Sequence, residues 1–187
     1  KTQNSFDPSR YARHFEHPWL SDEARTFLFT ERRLNPRVVS WCRLTSWTDR
    51  QGTHWLQTPY FDASGQLIGL QNRNLDYGKQ KGDEGEEDKR SVDKGKGYGS
   101  LAKGKQEQAI EAEPEGREAP RFRFPYGSRC TVYNLPVTAM LRPGEPLFIT
   151  EGCSDCWAML SAGHKAIAIP SATLLSQADK ALLRDLA

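Results

Sequence analysis

The sequence predicts a mixed α+β and α/β fold, in which a small helical and β-hairpin subdomain leads into the first strand-helix-strand-helix unit of a parallel sheet. Three observations predict it: capped helical patterns before residue 47, period-two alternation from His54 to Arg73, and short apolar strands alternating with helical patterns after Leu147. At 187 residues the chain has room for one ordinary domain or two small ones. The two parts are read as residues 1–143 and 144–187.

The first segment, Asp7 to Trp47, reads as helical. Ser21 caps a helix whose first turn carries Asp22 and Glu23, acids suited to the positive helix end, with Ala24, Phe27 and Leu28 following. Asn35 as N-cap and Pro36 at the first helical position start a second short helix, Arg37 to Cys42. From His54 the period changes. Trp55, Gln57, Pro59 and Phe61 alternate with Leu56, Thr58 and Tyr60, the turn chemistry of Asp62-Ala63-Ser64-Gly65 follows, and Gln66 to Arg73 returns as a second strand.

Between Lys79 and Glu118 lie nine of the chain's 26 basic residues and eleven of its 24 acidic ones, with no Trp or Phe. Such a stretch cannot bury enough apolar surface to offset the ordering of its backbone, and it is expected to stay unfolded. It also explains a mean hydropathy of −0.72, too polar for a compact domain. The rest of the chain carries 17 basic against 13 acidic residues, a mild excess that permits a nucleic-acid partner without requiring one. Beyond the insert, Arg121-Phe122-Arg123-Phe124 and Thr131 to Leu135 read as short strands, so the insert is an expanded loop within one sheet.

The last third is the most regular. Leu147 to Thr150 is an apolar strand, Glu151-Gly152 a turn, Ser154 to Ala162 a helix closed by Gly163, and Ala166 to Ile169 a second strand. Ser176 and Asp179 form a capping box for a helix from Gln177 to Leu186, with Ala178, Leu182, Leu183 and Leu186 as its buried face. Strand, helix, strand, helix implies parallel pairing with right-handed crossovers.

No run of apolar residues is long enough to span a membrane, and the N-terminal residues lack the apolar region of a signal peptide. Cys42, Cys130, Cys153 and Cys156 are too few and too unevenly spaced for a disulfide framework, so a reducing cytoplasm is the expected compartment.

Chemistry concentrates at the strand ends. In an open parallel sheet ligands sit at the carboxyl ends of the strands, and Glu151 follows the first strand of this unit directly, with Asp155 one helical turn on. Two acids there can hold Mg²⁺ or move a proton. By spacing alone the pair reads first as a solvated loop acid and a first-turn residue complementing the helix dipole. Arg121 and Arg123, two residues apart, share a strand face by alternation, and Phe122 and Phe124 face the other way as core. Edge-strand arginines of this kind also serve simply to discourage edge-to-edge aggregation. Cys153-Ser154-Asp155-Cys156 opens a helix after a strand, as in a thioredoxin-type redox site. However, no proline separates the thiols, and Asp155 opposes thiolate formation. Core cysteines are the preferred reading. Trp41, Trp47, Trp55 and Trp157 are likewise read as core, and His14 and His17 as surface residues.

Four blocks carry a family resemblance in order. Phe27 to Leu34 resembles the helical stretch that opens the catalytic core of DnaG-type DNA primases, and Gln57 to Arg73 is similar to that family's hairpin. Pro120 to Gly127, followed by Val132 to Leu135, resembles a later primase stretch in a form closer to phage and plasmid members. Leu147 to Leu175 resembles the opening of the TOPRIM domain that primases share with type IA and II topoisomerases and some nucleases, with Glu151, Gly152, Asp155, Gly163 and Ser171-Ala172-Thr173 on its motif positions.

The resemblance implies a nucleotidyltransferase that makes RNA primers on single-stranded DNA from nucleoside triphosphates, with Mg²⁺ or Mn²⁺ held at Glu151 and supported by Asp155. It implies phosphate-binding roles for Arg73 and Arg121, with Arg123 extending the patch, since the guanidinium fork binds phosphate oxygens bidentately. A mobile-element origin and a replicative helicase as partner or fusion are compatible with it. The family's Asp-x-Asp metal pair does not occur before Ala187 and its zinc ribbon does not precede the core, so these 187 residues alone are expected not to synthesise primers. Two other readings remain: a TOPRIM nuclease or topoisomerase fragment, and a non-catalytic module that binds single-stranded nucleic acid.

Overall fold

In a computed structural model of the chain, residues 6–79, 119–170 and 175–186 are described. The charged stretch after Lys79 lies outside them, as does Ser171-Ala172-Thr173. The fold is mixed α/β, with a four-stranded antiparallel sheet in the order β1-β2-β3-β4 and a two-stranded parallel sheet formed by β5 and β6.

The helical entry follows its capping chemistry. A 3-10 turn (Pro8–Arg10) and helix α1 (Ala12–Glu16) precede α2 (Asp22–Arg25), where the Ser21 hydroxyl accepts the Ala24 N–H at 3.3 Å. Thr26–Glu31 then continues as a π-helix, with Arg32 N–H donating to the Phe27 carbonyl at 3.0 Å, and Phe27 and Leu28 are buried. Asn35 caps α3 (Pro36–Trp41) by accepting the Arg37 N–H at 2.9 Å.

The helical expectation fails before Trp47. Arg43 takes a left-handed φ of 50°, which ends the helical path, and Thr45–Thr48 forms strand β1. β-branched Thr45 and Thr48 and aromatic Trp47 suit a pleated surface, and β1 pairs antiparallel with β2 (His54–Phe61), setting Trp47 opposite Trp55. The hairpin to β3 (Leu67–Asn74) turns at Asp62, whose carboxylate accepts the N–H of Ser64 at 2.9 Å and of Gln66 at 3.0 Å. β3 pairs antiparallel with the short β4 (Phe122–Arg123), so the strands that flank the charged stretch are neighbours in one sheet, as expected. Gly69 lets residues 128–130 cross close over β3: a Cβ there would meet the Arg129 backbone nitrogen at 2.7 Å, while Arg129 N–H donates to the Ile68 carbonyl at 3.0 Å.

Thr131 to Leu135 does not become a strand. Tyr133 makes one antiparallel bridge to Ala168, and Asn134 enters a 3-10 segment (Leu135–Met140) through a left-handed φ of 63°. β5 (Leu147–Glu151) and β6 (Lys165–Ile169) pair in parallel across helix α4 (Cys153–Ser161), with Gly152 at φ 85° making the turn between β5 and α4. The last helix, α5 (Gln177–Leu186), carries the expected capping box, the Ser176 hydroxyl accepting the Asp179 N–H at 3.1 Å. Its buried face is narrower than the pattern implies: Leu182 and Leu183 pack against the core, whereas Ala178 and Leu186 are exposed.

One core cluster joins Phe27, Leu28, Leu56 and Tyr60 to Tyr133, Cys153, Cys156, Trp157 and Ala168. The antiparallel sheet and the α4-β6 layer therefore share an interior. Tyr133 sits at the junction, packed edge-on against Tyr60 at 5.3 Å and accepting the Trp157 indole N–H at 3.0 Å. Among the described residues no helix is long and apolar enough to cross a membrane.

Candidate functional site

Strand alternation sorts the arginines onto two faces. Arg73 lies directly opposite Leu56 on one side and Phe122 on the other, so these three share a face. Phe27 covers it. The Arg73 guanidinium stands 4.9 Å from the centre of the Phe27 ring and 5.6 Å from that of Phe122, Arg32 lies 5.3 Å from Phe27, and Arg121 lies 5.4 Å from Phe122. The result is a row of alternating cations and rings, Arg32, Phe27, Arg73, Phe122 and Arg121, held by contacts worth about 0.5–2 kcal/mol each.

The row holds positive charge without neutralising it. Among the described residues none of its three arginines makes an ion pair. Burial, reinforced by Arg121 and Arg32 and opposed by Glu31, brings the Arg73 guanidinium down to about 10, so it is charged at neutral pH at an electrostatic cost that a bound anion would relieve. Arg32 was not legible in the sequence as part of this group. Its place over Phe27 follows from the π-helical turn, whose five-residue hydrogen bond no simple periodicity announces.

Arg123 does not extend the patch. It pairs with Asn72, on the opposite face from Arg73, and its guanidinium lies 4.6 Å from the Trp55 ring centre and 3.7 Å from the Asp49 carboxylate. Partial burial pushes the Asp49 carboxyl up, but the Trp55 indole, the backbone N–H groups of Thr53 and Gln51, and Arg123 together hold it below its usual range. Phe124, expected in the core, is 42% exposed, and Trp41 is 45% exposed.

Glu151 ends β5 opposite Ile169, at the carboxyl edge of the parallel pair, and Asp155 lies in the first turn of α4; both are exposed. β5 itself is not a buried strand: Phe148 and Ile149 are 37% and 54% exposed, whereas Ala166, Ile167 and Ala168 of β6 are fully covered. The β5-α4 junction packs onto the arginine-bearing face, because the Cys153 thiol contacts the Tyr60 hydroxyl at 3.2 Å and Tyr60 lies on the same side of β2 as Leu56. No hydrogen bond or ion pair among the described residues joins Glu151 or Asp155 to the arginines.

No three His, Cys, Asp or Glu side chains cluster for a metal among the described residues. A divalent cation at Glu151 and Asp155 would lean on two carboxylates, phosphate oxygens and water, a hard-oxygen donor set that suits Mg²⁺. The cysteines are core groups. Cys42, Cys130 and Cys153 are pushed up to about 12 by burial, and burial pushes Cys156 up further, the reverse of what an attacking thiolate needs.

No family model and no curated protein matches the sequence. The fold does match solved structures. The RNA polymerase domain of Mycobacterium tuberculosis primase DnaG aligns with 95% of this chain and 59% of its own at a TM-score of 0.55 and 16% identity. The Aquifex aeolicus primase, comprising zinc-binding and RNA polymerase domains, aligns with 89% of this chain and 41% of its own at 0.52 and 15%. A DnaG primase catalytic domain bound to single-stranded DNA aligns with 95% and 57% at 0.51 and 16%. The fold is therefore primase-like, and the chain spans about half the length of the structures it matches.

Proposed function

We propose that the chain is the template- and nucleotide-handling part of a primase-type nucleotidyltransferase, which makes RNA primers on single-stranded DNA from nucleoside triphosphates. The observation that carries the reading is the row Arg32, Phe27, Arg73, Phe122 and Arg121: three guanidiniums without acidic partners among the described residues, interleaved with rings, on the face of the sheet that receives the β5-α4 junction. Guanidiniums take phosphate oxygens bidentately, and the buried Phe27 and half-buried Phe122 rings hold them in place on the sheet. Glu151 and Asp155, exposed at the carboxyl end of a parallel strand, would supply carboxylates to hold Mg²⁺ or Mn²⁺, which when bound would stabilise the charge of the triphosphate and of the departing pyrophosphate. Further ligands would come from outside the described residues. A plasmid or phage replication protein fits the Arg-Phe-Arg-Phe stretch, a helicase partner or fusion is compatible with it, and the cytoplasm fits free thiols of which three are buried.

Two arms test the proposal. In a parent protein that synthesises primers, Glu151→Gln is expected to reduce ribonucleotide incorporation by about 100-fold or more while leaving single-stranded DNA binding within twofold. Unchanged incorporation would reduce the chain to a binding module, and strand cleavage in place of incorporation would move it to the nucleases.

A further inference from the structure

A concave site lies toward the far end of the hairpin, where Pro59 and Phe61 in its lining stand about 10 and 17 Å along β2 from Leu56 at ~3.3 Å per residue. Its cause is a gap in the sheet. β1 begins at Thr45 opposite Gln57, so β2 beyond that point has no neighbour on its outer edge, and Pro59 presents no N–H there for a further strand. Helix α3 and the Tyr133–Pro136 segment wall the gap into a cavity of about 480 Å³, within the range of small-molecule sites.

The lining is chemically one-sided. Arg37 and Arg43 both face it, no Asp or Glu does, and among the described residues neither arginine makes an ion pair. Three rings, Trp41, Phe61 and Tyr133, also line it. Arg43 lies 5.3 Å from the centre of the Phe61 ring, and Trp41, although nearly half exposed, is held by its indole N–H donating to the Asn134 side-chain Oδ1 at 3.2 Å. Asn134 is itself fixed by donating to the Ala166 carbonyl at 2.8 Å. Of the three non-glycine residues with positive φ among the described residues, two, Arg43 at 50° and Asn134 at 63°, line this cavity. Backbone held in that region persists where surrounding structure enforces it, and such positions concentrate at ligand sites.

We infer that this cavity binds a nucleoside phosphate, its base against the fixed Trp41 indole and its phosphates on Arg37 and Arg43, as a site separate from the Arg73-Arg121 row. A preformed ring favours a flat ligand, and two guanidiniums without acidic neighbours favour an anionic one. The site stands whether or not the chain takes part in primer synthesis.

Titration of the full chain with ADP, followed by tryptophan fluorescence and calorimetry, tests it. ADP is expected to quench fluorescence, and Trp41→Phe to abolish that quench. Arg37→Gln combined with Arg43→Asn, a residue that tolerates the left-handed backbone, is expected to weaken binding at this site at least tenfold. Arg73→Gln with Arg121→Gln is expected to leave the quench and its midpoint within twofold. If circular dichroism shows the first pair less well folded, the single exposed change Arg37→Glu takes its place, with the same tenfold loss expected. Loss of the quench in the Arg73 and Arg121 variant instead, or persistence of the quench with an unchanged midpoint in the Arg37 variants, would overturn the inference. Competition by ribose 5-phosphate or inorganic phosphate as strong as that of ADP would do the same, since it would leave a bare anion site.

Discussion

Arg73 and Arg123 stand on neighbouring strands, one register step apart, and the sheet treats them in opposite ways. Arg123 is matched by the Asp49 carboxylate and laid over the buried Trp55 ring, so its charge belongs to the packing of that face. Arg73 is half-buried between two rings, with Arg32 and Arg121 as its charged neighbours and an acid, Glu31, only as a weaker influence. The difference teaches where to look for a partner: a satisfied cation holds the fold together, whereas an unmatched one held at a cost is available to an anion from outside.

The strongest way to break this contrast is to remove each cation in turn. Arg73→Ala with Arg121→Ala is expected to weaken single-stranded DNA binding by about 100-fold at low salt, roughly 2.7 kcal/mol, and to flatten its salt dependence, read by fluorescence anisotropy. Arg123→Ala should leave binding within twofold and instead lower stability by about 1 kcal/mol in denaturant unfolding. Equal losses of binding from both changes would erase the distinction between the faces.

Gly69→Ala sharpens the comparison by disturbing the support of the sheet while keeping every arginine. The added Cβ would lie 2.7 Å from the Arg129 nitrogen, so the crossing strap must shift, at an expected cost of about 1–3 kcal/mol in thermal unfolding. DNA binding at a temperature where the variant is folded should change little.

The pH dependence separates the two cations more finely. Arg73 has its guanidinium lowered to about 10 in the folded chain, so its positive charge is complete below pH 9 and declines as pH rises through 10. For folding the sign is opposite to that of an ion-paired group: the electrostatic cost is present at neutral pH and eases above pH 10. The DNA affinity of wild type is therefore expected to fall between about pH 9 and 11 more steeply than that of Arg73→Gln, and parallel profiles would remove Arg73 from the contact. The smallest expected signal is no reaction at all. Cys153, pushed up to about 12, should resist thiol reagents at pH 8 in the native chain and react only on unfolding; rapid native reaction would revive the redox reading of Cys153-Ser154-Asp155-Cys156.

Much of the architecture was legible in the residues. The caps at Ser21, Asn35 and Ser176 act within a few positions of themselves, and the hairpin turn at Asp62 and the strand-helix-strand pattern after Leu147 are equally local, so sequence alone announces them. Glu151 and Asp155 could be nominated from a strand end and charge, whereas Arg73 and Arg121 were nominated through the resemblance of their blocks to primase stretches. Tertiary structure alone decided which of them meet. β4 is only two residues long, so the alternation expected to unite Arg121 and Arg123 does not hold: Arg121 precedes the strand and reaches Phe122, while Arg123 follows the strand face to Trp55. Thr45–Thr48 became a strand because β2 offered an edge to pair with, and β5 kept Ile149 exposed because burial depends on neighbours that hydropathy cannot name. Local chemistry determines turns, caps and element type over a few residues, whereas the company a charge keeps is set by chain segments distant in sequence, and only the packed fold brings those together.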